Sequence, residues 1–151
     1  MGNYATITQA TDYIENNKLP IKRCPWDDAT TEEKQIALNI STKIIDKLNY
    51  AGDKADESQE NQFPRGSDTS VPQKVEYAAI EIALALLDGV DPELERENLM
   101  ATQFNYADAR STYNRGSIPE HIVVGVPSSL AMDYLRPFLR DRDAVHLSRG
   151  S

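Results

Sequence analysis

The sequence predicts a mostly α protein. A single domain over residues 1–151 is expected, built as a small bundle of four to five helices with long loops and an extended arm or β-hairpin near 101–126. Three observations carry that expectation. A capping box at Thr30 and Glu33 is followed by isoleucines every four residues. A second capping pair, Ser70 and Gln73, opens a segment to Asp88 that is apolar around most of its circumference. Strand-like spacing is confined to short stretches after residue 101.

The elements follow in order. The stretch 8–16, TQATDYIEN, reads as a helix with Thr8 as cap and Tyr13 and Ile14 as a short apolar face. Leu19-Pro20 ends it, because the residue before a proline avoids the helical region. Trp26, beside Pro25 in the connection that follows, is expected as a core anchor. A helix is predicted from 31 to 48, with Ile36, Ile40, Ile44 and Leu48 as its buried stripe and Ala37 and Ile45 widening it. Glu33, Lys34, Asn39, Lys43 and Lys47 fall outside that stripe.

Residues 50–69 have no apolar periodicity and many turn formers, so a long loop is expected, either functional or without fixed order. Asp53, Asp56 and Glu57 in it lack the spacing of a calcium loop, which leaves a solvated loop. In the apolar helix that follows, Lys74, Tyr77, Glu81 and Asp88 share one narrow side, Val75, Ile82 and Leu86 belong to the expected core, and Gly89 serves as a left-handed cap. Such a helix must be covered on most sides, by its own chain or in part by a neighbouring subunit.

Asp91-Pro92 starts a short helix to near Met100. Phe104 and Tyr106, two apart as on one strand face, and Tyr113 belong to the expected arm, and Val123, Val124 and Val126 form a β-prone run. Pro127-Ser128-Ser129 introduces a last helix, which Pro137 ends or kinks. From about 140 the chain is charged and expected to be a flexible tail.

Composition limits the function classes. The 24 acidic and 16 basic residues give a net charge of −8, against tight sequence-independent gripping of a phosphate backbone. An acidic wall around DNA would instead let it slide. Cys24 is the only cysteine, which rules out an intramolecular disulfide and a four-cysteine zinc site. No run reaches the roughly 18 apolar residues of a membrane span. The opening MGNYATITQATDY has no basic start followed by an apolar run, so no secretory signal is expected.

His121 and His146 lack a neighbouring nucleophile or an H-E-x-x-H pattern, and Gly125-Val126-Pro127-Ser128-Ser129 is not a nucleophile elbow. The seven glycines form no phosphate cradle. Asp141-Arg142-Asp143 reads as a solvated charged tail rather than a cation site. No enzymatic activity, catalytic residue, cofactor or metal is therefore expected.

One ordered set of motifs remains. An N-terminal YATITQATDYI leads to Pro25-Trp26, EEKQIALNISTKIID and Tyr50-Ala51-Gly52. Gln62-Phe63-Pro64-Arg65, Val71-Pro72 and EYAAIEIALALL follow, then FNYADAR and a closing YLRPFL. In this order and spacing, over most of residues 4–139, the chain resembles the head–tail connector, or adaptor, proteins of tailed bacteriophages. It departs from their pattern at Asn39 and Ser41-Thr42, within what is commonly an Ala-rich helix, and in an acidic insertion at 53–61.

The resemblance implies a structural virion protein of the neck between head and tail, made in the host cytoplasm. It implies a homo-oligomer, a dodecameric ring that docks on portal protein and extends the DNA channel toward a downstream tail or nozzle protein. DNA would pass through without specific binding, and no membrane is involved. Phe63, Arg65, Phe104, Tyr106, Arg110 and Tyr113 are then the candidate subunit or portal contacts, the alternative being that these aromatics only close the local core. Some relatives carry a label as DnaT-like single-stranded-DNA-binding proteins, which is the alternative function.

Overall fold

A computed structural model describes residues 2–98 and 119–140. The described residues are mostly helical, with no strand or sheet among them. Helix α1 is Ile7–Asn17, α2 is Pro20–Asp27, α3 is Thr31–Asp46 and α4 is Gln73–Leu87. Residues 92–98 form α5, Glu120–Val123 the single turn α6, and Ser129–Leu135 α7, which runs into a 3-10 turn at Arg136–Phe138. The fold is centred on α4, which packs chiefly against α3 on one side and α7 on another, with α1 and α2 also touching it.

Local chemistry explains the boundaries. Helix α1 is capped two residues before the expected Thr8: the Thr6 hydroxyl accepts from the Gln9 N–H at 3.1 Å, and the Gln9 side chain accepts from the Thr6 N–H at 2.9 Å. Thr30 and Glu33 close the predicted box on α3 in the same reciprocal way. No side chain caps α4. Val71 precedes a proline and stays out of the helical region, so Pro72, with ψ 144, takes the cap position and Ser70 lies too far back to serve. At its other end Gly89 adopts φ +93.

Ser128 accepts from the Ala131 N–H to start α7, and the α-helix gives way to the 3-10 turn at Arg136, just before Pro137. The Asp91 carboxylate accepts from the Glu93 and Leu94 N–H groups at the head of α5.

Three expectations need correcting. The connection around Trp26 is itself a helix, α2, with Pro20 at its first position. Pro25 lies inside it and forfeits one backbone bond, but Trp26 is buried at 1% exposure and its indole N–H donates to the Thr11 hydroxyl at 3.1 Å. Burial of that ring outweighs the weak local preference. The β-prone run is instead α6 and a turn: Gly125 at φ +83 ends the helix and Val126 is driven inside, fully buried. The remainder of the expected arm or hairpin, and the tail after 140, lie outside the described residues.

The third correction concerns α3. Ile36 and Ile40, expected in the core, are 55% and 41% exposed, and Ile44 is only half-buried. The buried face is Ala37, Leu38, Ser41, Thr42 and Ile45, turned by about one residue's 100° from the isoleucine stripe. Small side chains explain the choice. Ala37, Ser41 and Thr42 are buried on α3, which packs against α4, whose buried face includes Ala78, Ala79 and Ala83, and small residues on both helices suit a close approach of the two backbones. The Ser41 hydroxyl donates to the Leu38 carbonyl and the Thr42 hydroxyl accepts from the Tyr4 N–H, so neither is buried unsatisfied.

Trp26, Val75 and Ile82 are buried, whereas Leu86 is half-buried at the edge of the core. Replacing Leu38 by Ala is expected to cost about 2–5 kcal/mol, whereas Ile36→Ala should change stability by no more than about 0.5 kcal/mol. Urea unfolding of the two variants beside the parent measures both, and equal losses would return Ile36 to the core.

Candidate functional site

Two polar clusters lock the framework before any surface is considered. In the first, α4 presents Glu81 at 4% exposure among apolar neighbours. Its carboxylate accepts from the Tyr13 hydroxyl at 2.6 Å and pairs with the Lys18 ammonium at 2.8 Å, tying α1 to α4. Tyr134 from α7 shares a hydrogen bond with the same Tyr13 hydroxyl at 3.0 Å, and Tyr77 stacks between the two tyrosine rings. Sequence periodicity placed Glu81 on the polar side of its helix; it missed that α1 supplies a cation and a phenol to meet it there.

The second cluster orders the loop after α3. The Tyr4 hydroxyl donates to the Asp46 carboxylate and accepts from the Phe63 N–H, while Asp46 also accepts from the Gln62 N–H. Phe63 sits at 3% exposure with Tyr4, Tyr50 and Phe138 packed edge-on around it. Arg65 spends its guanidinium on the Ala51, Gly52 and Gln62 carbonyls and lies over the Tyr50 ring. Within the described chain Phe63 closes the core beneath the loop, and the half-buried Arg65 holds the loop's two limbs together. Phe104, Tyr106, Arg110 and Tyr113 lie outside the described residues.

What the fold leaves open is apolar. Leu19 and Ile21 at the α1–α2 corner are 72% and 78% exposed, and Ile36 and Ile40 are a second open pair, on α3. Two hollows flank the last turn of α4. One of about 590 Å³ is lined by Ile21, Pro25, Ala29 and Leu87 together with charged residues including Lys22, Glu33 and Asp88. The other, about 390 Å³, is lined by Ile40, Ile44, Leu86, Val90, Pro92 and Val124, with Lys47, Asp91, Glu93 and Arg96 around them. Isolated exposed apolar residues are ordinary on a soluble protein; a stripe that opens onto an apolar hollow marks an interaction face.

Among the described residues no group of three or more His, Cys, Asp or Glu side chains is placed to hold a metal ion. No helix among them is long and apolar enough to cross a membrane. Cys24 is exposed on α2.

Fold and face together define a small, mostly α-helical protein with an open aliphatic surface. The chain matches the model of the family described as "Putative DnaT-like ssDNA binding protein" over residues 2–145, and it belongs to that family. No curated protein and no solved structure matches it.

Burial raises the pKa of the Tyr13 phenol well above its ordinary 10.0, and its bonds to Glu81 and Tyr134 raise it further. Burial and the bond to Asp46 raise Tyr4, and burial raises Tyr50. A raised folded-state pKa contributes stability that is complete below the unfolded value and is lost as pH climbs through and beyond it. The unfolding midpoint in urea should thus fall as pH rises above 10, and fall less steeply in Tyr13→Phe. Parallel slopes would show that Tyr13 ionises as freely as in the unfolded chain. Lys18→Met, which strips the buried Glu81 of its cation, is expected to cost about 1–3 kcal/mol at neutral pH by the same unfolding assay.

Proposed function

We propose that this chain is a structural subunit of a tailed-phage particle, a ring-forming head–tail adaptor that docks on portal protein and continues the DNA channel toward the tail. The observation that carries the reading is the open aliphatic surface of α3, beside a hollow formed with α4 and α5. A subunit whose task is to pack against other proteins needs such a surface, and a catalyst does not. The net charge of −8 fits a channel component that DNA passes without being gripped. In this reading the protein is not an enzyme, needs no cofactor and resides in the virion neck. The motif order from YATITQATDYI to YLRPFL supplies the phage context.

The family's description favours a second reading, binding of single-stranded DNA. Sequence-tolerant single-strand binding combines a basic groove with aromatic rings on which bases stack. Among the described residues, every aromatic side chain is buried or half-buried: Tyr4, Tyr13, Trp26, Tyr50 and Phe63 inside, and Tyr77, Tyr134 and Phe138 at the core's edge. Lys18 is committed to Glu81, and Arg65 to loop carbonyls. That leaves the described surface short of the exposed aromatic rings on which bases would stack.

Electron microscopy of the purified protein mixed with portal protein tests the two readings together with a single-strand titration at rising salt. The adaptor reading expects ring-shaped particles seated on portal and weak oligonucleotide affinity. It fails if the protein stays monomeric, ignores portal and binds oligonucleotides with an affinity that falls steeply as salt rises.

A further inference from the structure

We infer that copies of this chain join head to tail, with the Leu19–Ile21 corner of one subunit entering the α3–α4–α5 hollow of the next. The inference rests on the self-association proposed above and specifies its geometry. Leu19 and Ile21 are the most exposed of the large hydrophobic side chains among the described residues. They flank Pro20 at the corner where α1 passes to α2, with Lys22 exposed beside them. Among the described residues nothing covers them, although each would gain from leaving water.

The hollow is the complementary feature. At about 390 Å³ it has room for a pair of branched aliphatic side chains, and Ile40, Ile44, Leu86, Val90 and Val124 give it an apolar lining. Corner and hollow belong to different flanks of α4's last turn. Ile21 shares the first hollow with Leu87, whereas Leu86 faces the second, so the corner of a subunit does not fill its own hollow.

Charge supports the same pairing. The corner carries the exposed Lys22, while the turn from α4 to α5 brings Asp91 and Glu93 to the hollow. Lys47 and Arg96 line it too, so the match is carried by the acidic side at that turn. A contact between two different surfaces of the same chain is heterologous, and it generates a closed ring where the rotation per subunit closes.

Two exposed positions test this with little risk to folding, which circular dichroism and melting temperature verify: Ile21→Asp on the corner and Ile40→Asp in the hollow. Light scattering over a concentration series is expected to show parent assemblies larger than dimers. Each variant alone should self-associate at least tenfold more weakly. An equimolar mixture should form dimers and stop there, because Ile21→Asp keeps an intact hollow, Ile40→Asp keeps an intact corner, and only one productive contact exists between them.

If Ile21→Asp assembles like the parent while Ile40→Asp does not, the hollow pairs with something other than the corner, and the head-to-tail inference is overturned while self-association stands. If mixing restores nothing, the contact is not heterologous, with the same consequence. A parent that stays monomeric at every concentration and also on portal overturns both this inference and the adaptor reading.

Discussion

Helix α4 cannot be left in water on any side but a narrow one, and the rest of the described fold is arranged to meet that requirement. Eight of its fifteen residues, from Val75 to Leu84, are buried. At about 25 cal/mol per Å² of apolar surface, a helix of this kind is a leading source of stabilisation and gains little by standing alone. Helix α3 covers one flank with alanine, serine and threonine, α7 covers another with Ala131, Met132 and Leu135, and α1 and α2 close the remainder. The cover thins at the C-terminal end, where Leu86 and Leu87 are half-buried. That is where both hollows lie.

Glu81 is the exception that fixes how the cover sits. A buried carboxylate is costly unless it is paired and hydrogen-bonded, and here both conditions are met by α1 through Lys18 and Tyr13. A hydrophobic residue in its place would let α1 slide or rotate on α4 with little penalty. The ion pair admits one register, since moving α1 by a single residue would take both partners away. Tyr134 extends the same constraint to α7. The position of the α1–α2 corner, and hence of Leu19 and Ile21, is thus set by a polar contact on the far side of α1's last turns.

Much of this was legible in the sequence, and the failures have a common cause. The mostly α fold, the Thr30–Glu33 box and the break at Pro137 rest on local chemistry, which a sequence displays directly. The orientation of α3 is a tertiary choice. Counting apolar residues favours Ile36, Ile40 and Ile44, but close approach to an alanine-rich helix rewards small side chains, even hydroxylated ones whose hydrogen bonds are met nearby. The signal was present in Ser41-Thr42, a departure from the Ala-rich pattern of the proteins the chain resembles. Phe63 and Arg65 meet demands inside the loop that no local pattern displays: the Phe63 N–H donates to the distant Tyr4 hydroxyl, and Arg65 binds the Ala51, Gly52 and Gln62 carbonyls. Pattern alone could not announce α2, because two prolines in eight residues argue against a helix until the burial of Trp26 is known.

The orientation of α3 also bears on what the surface is for. Had the isoleucines turned inward, the outer face of α3 would carry Ser41 and Thr42 among its charged residues and present little but solvated polar groups. Instead small residues join Leu38 and Ile45 in the core while Ile36 and Ile40 remain outside, which spends hydrophobic surface where the monomer does not need it. Copies of an acidic chain repel one another overall, so association along this face rests on apolar burial, with the contact of Lys22 to the acidic turn a local exception to that repulsion. Screening by salt then strengthens it, whereas the same salt weakens contacts with a phosphate backbone. The two functional readings thus predict opposite responses to one variable, and the outward-facing isoleucines of α3 are the reason the first of them is favoured.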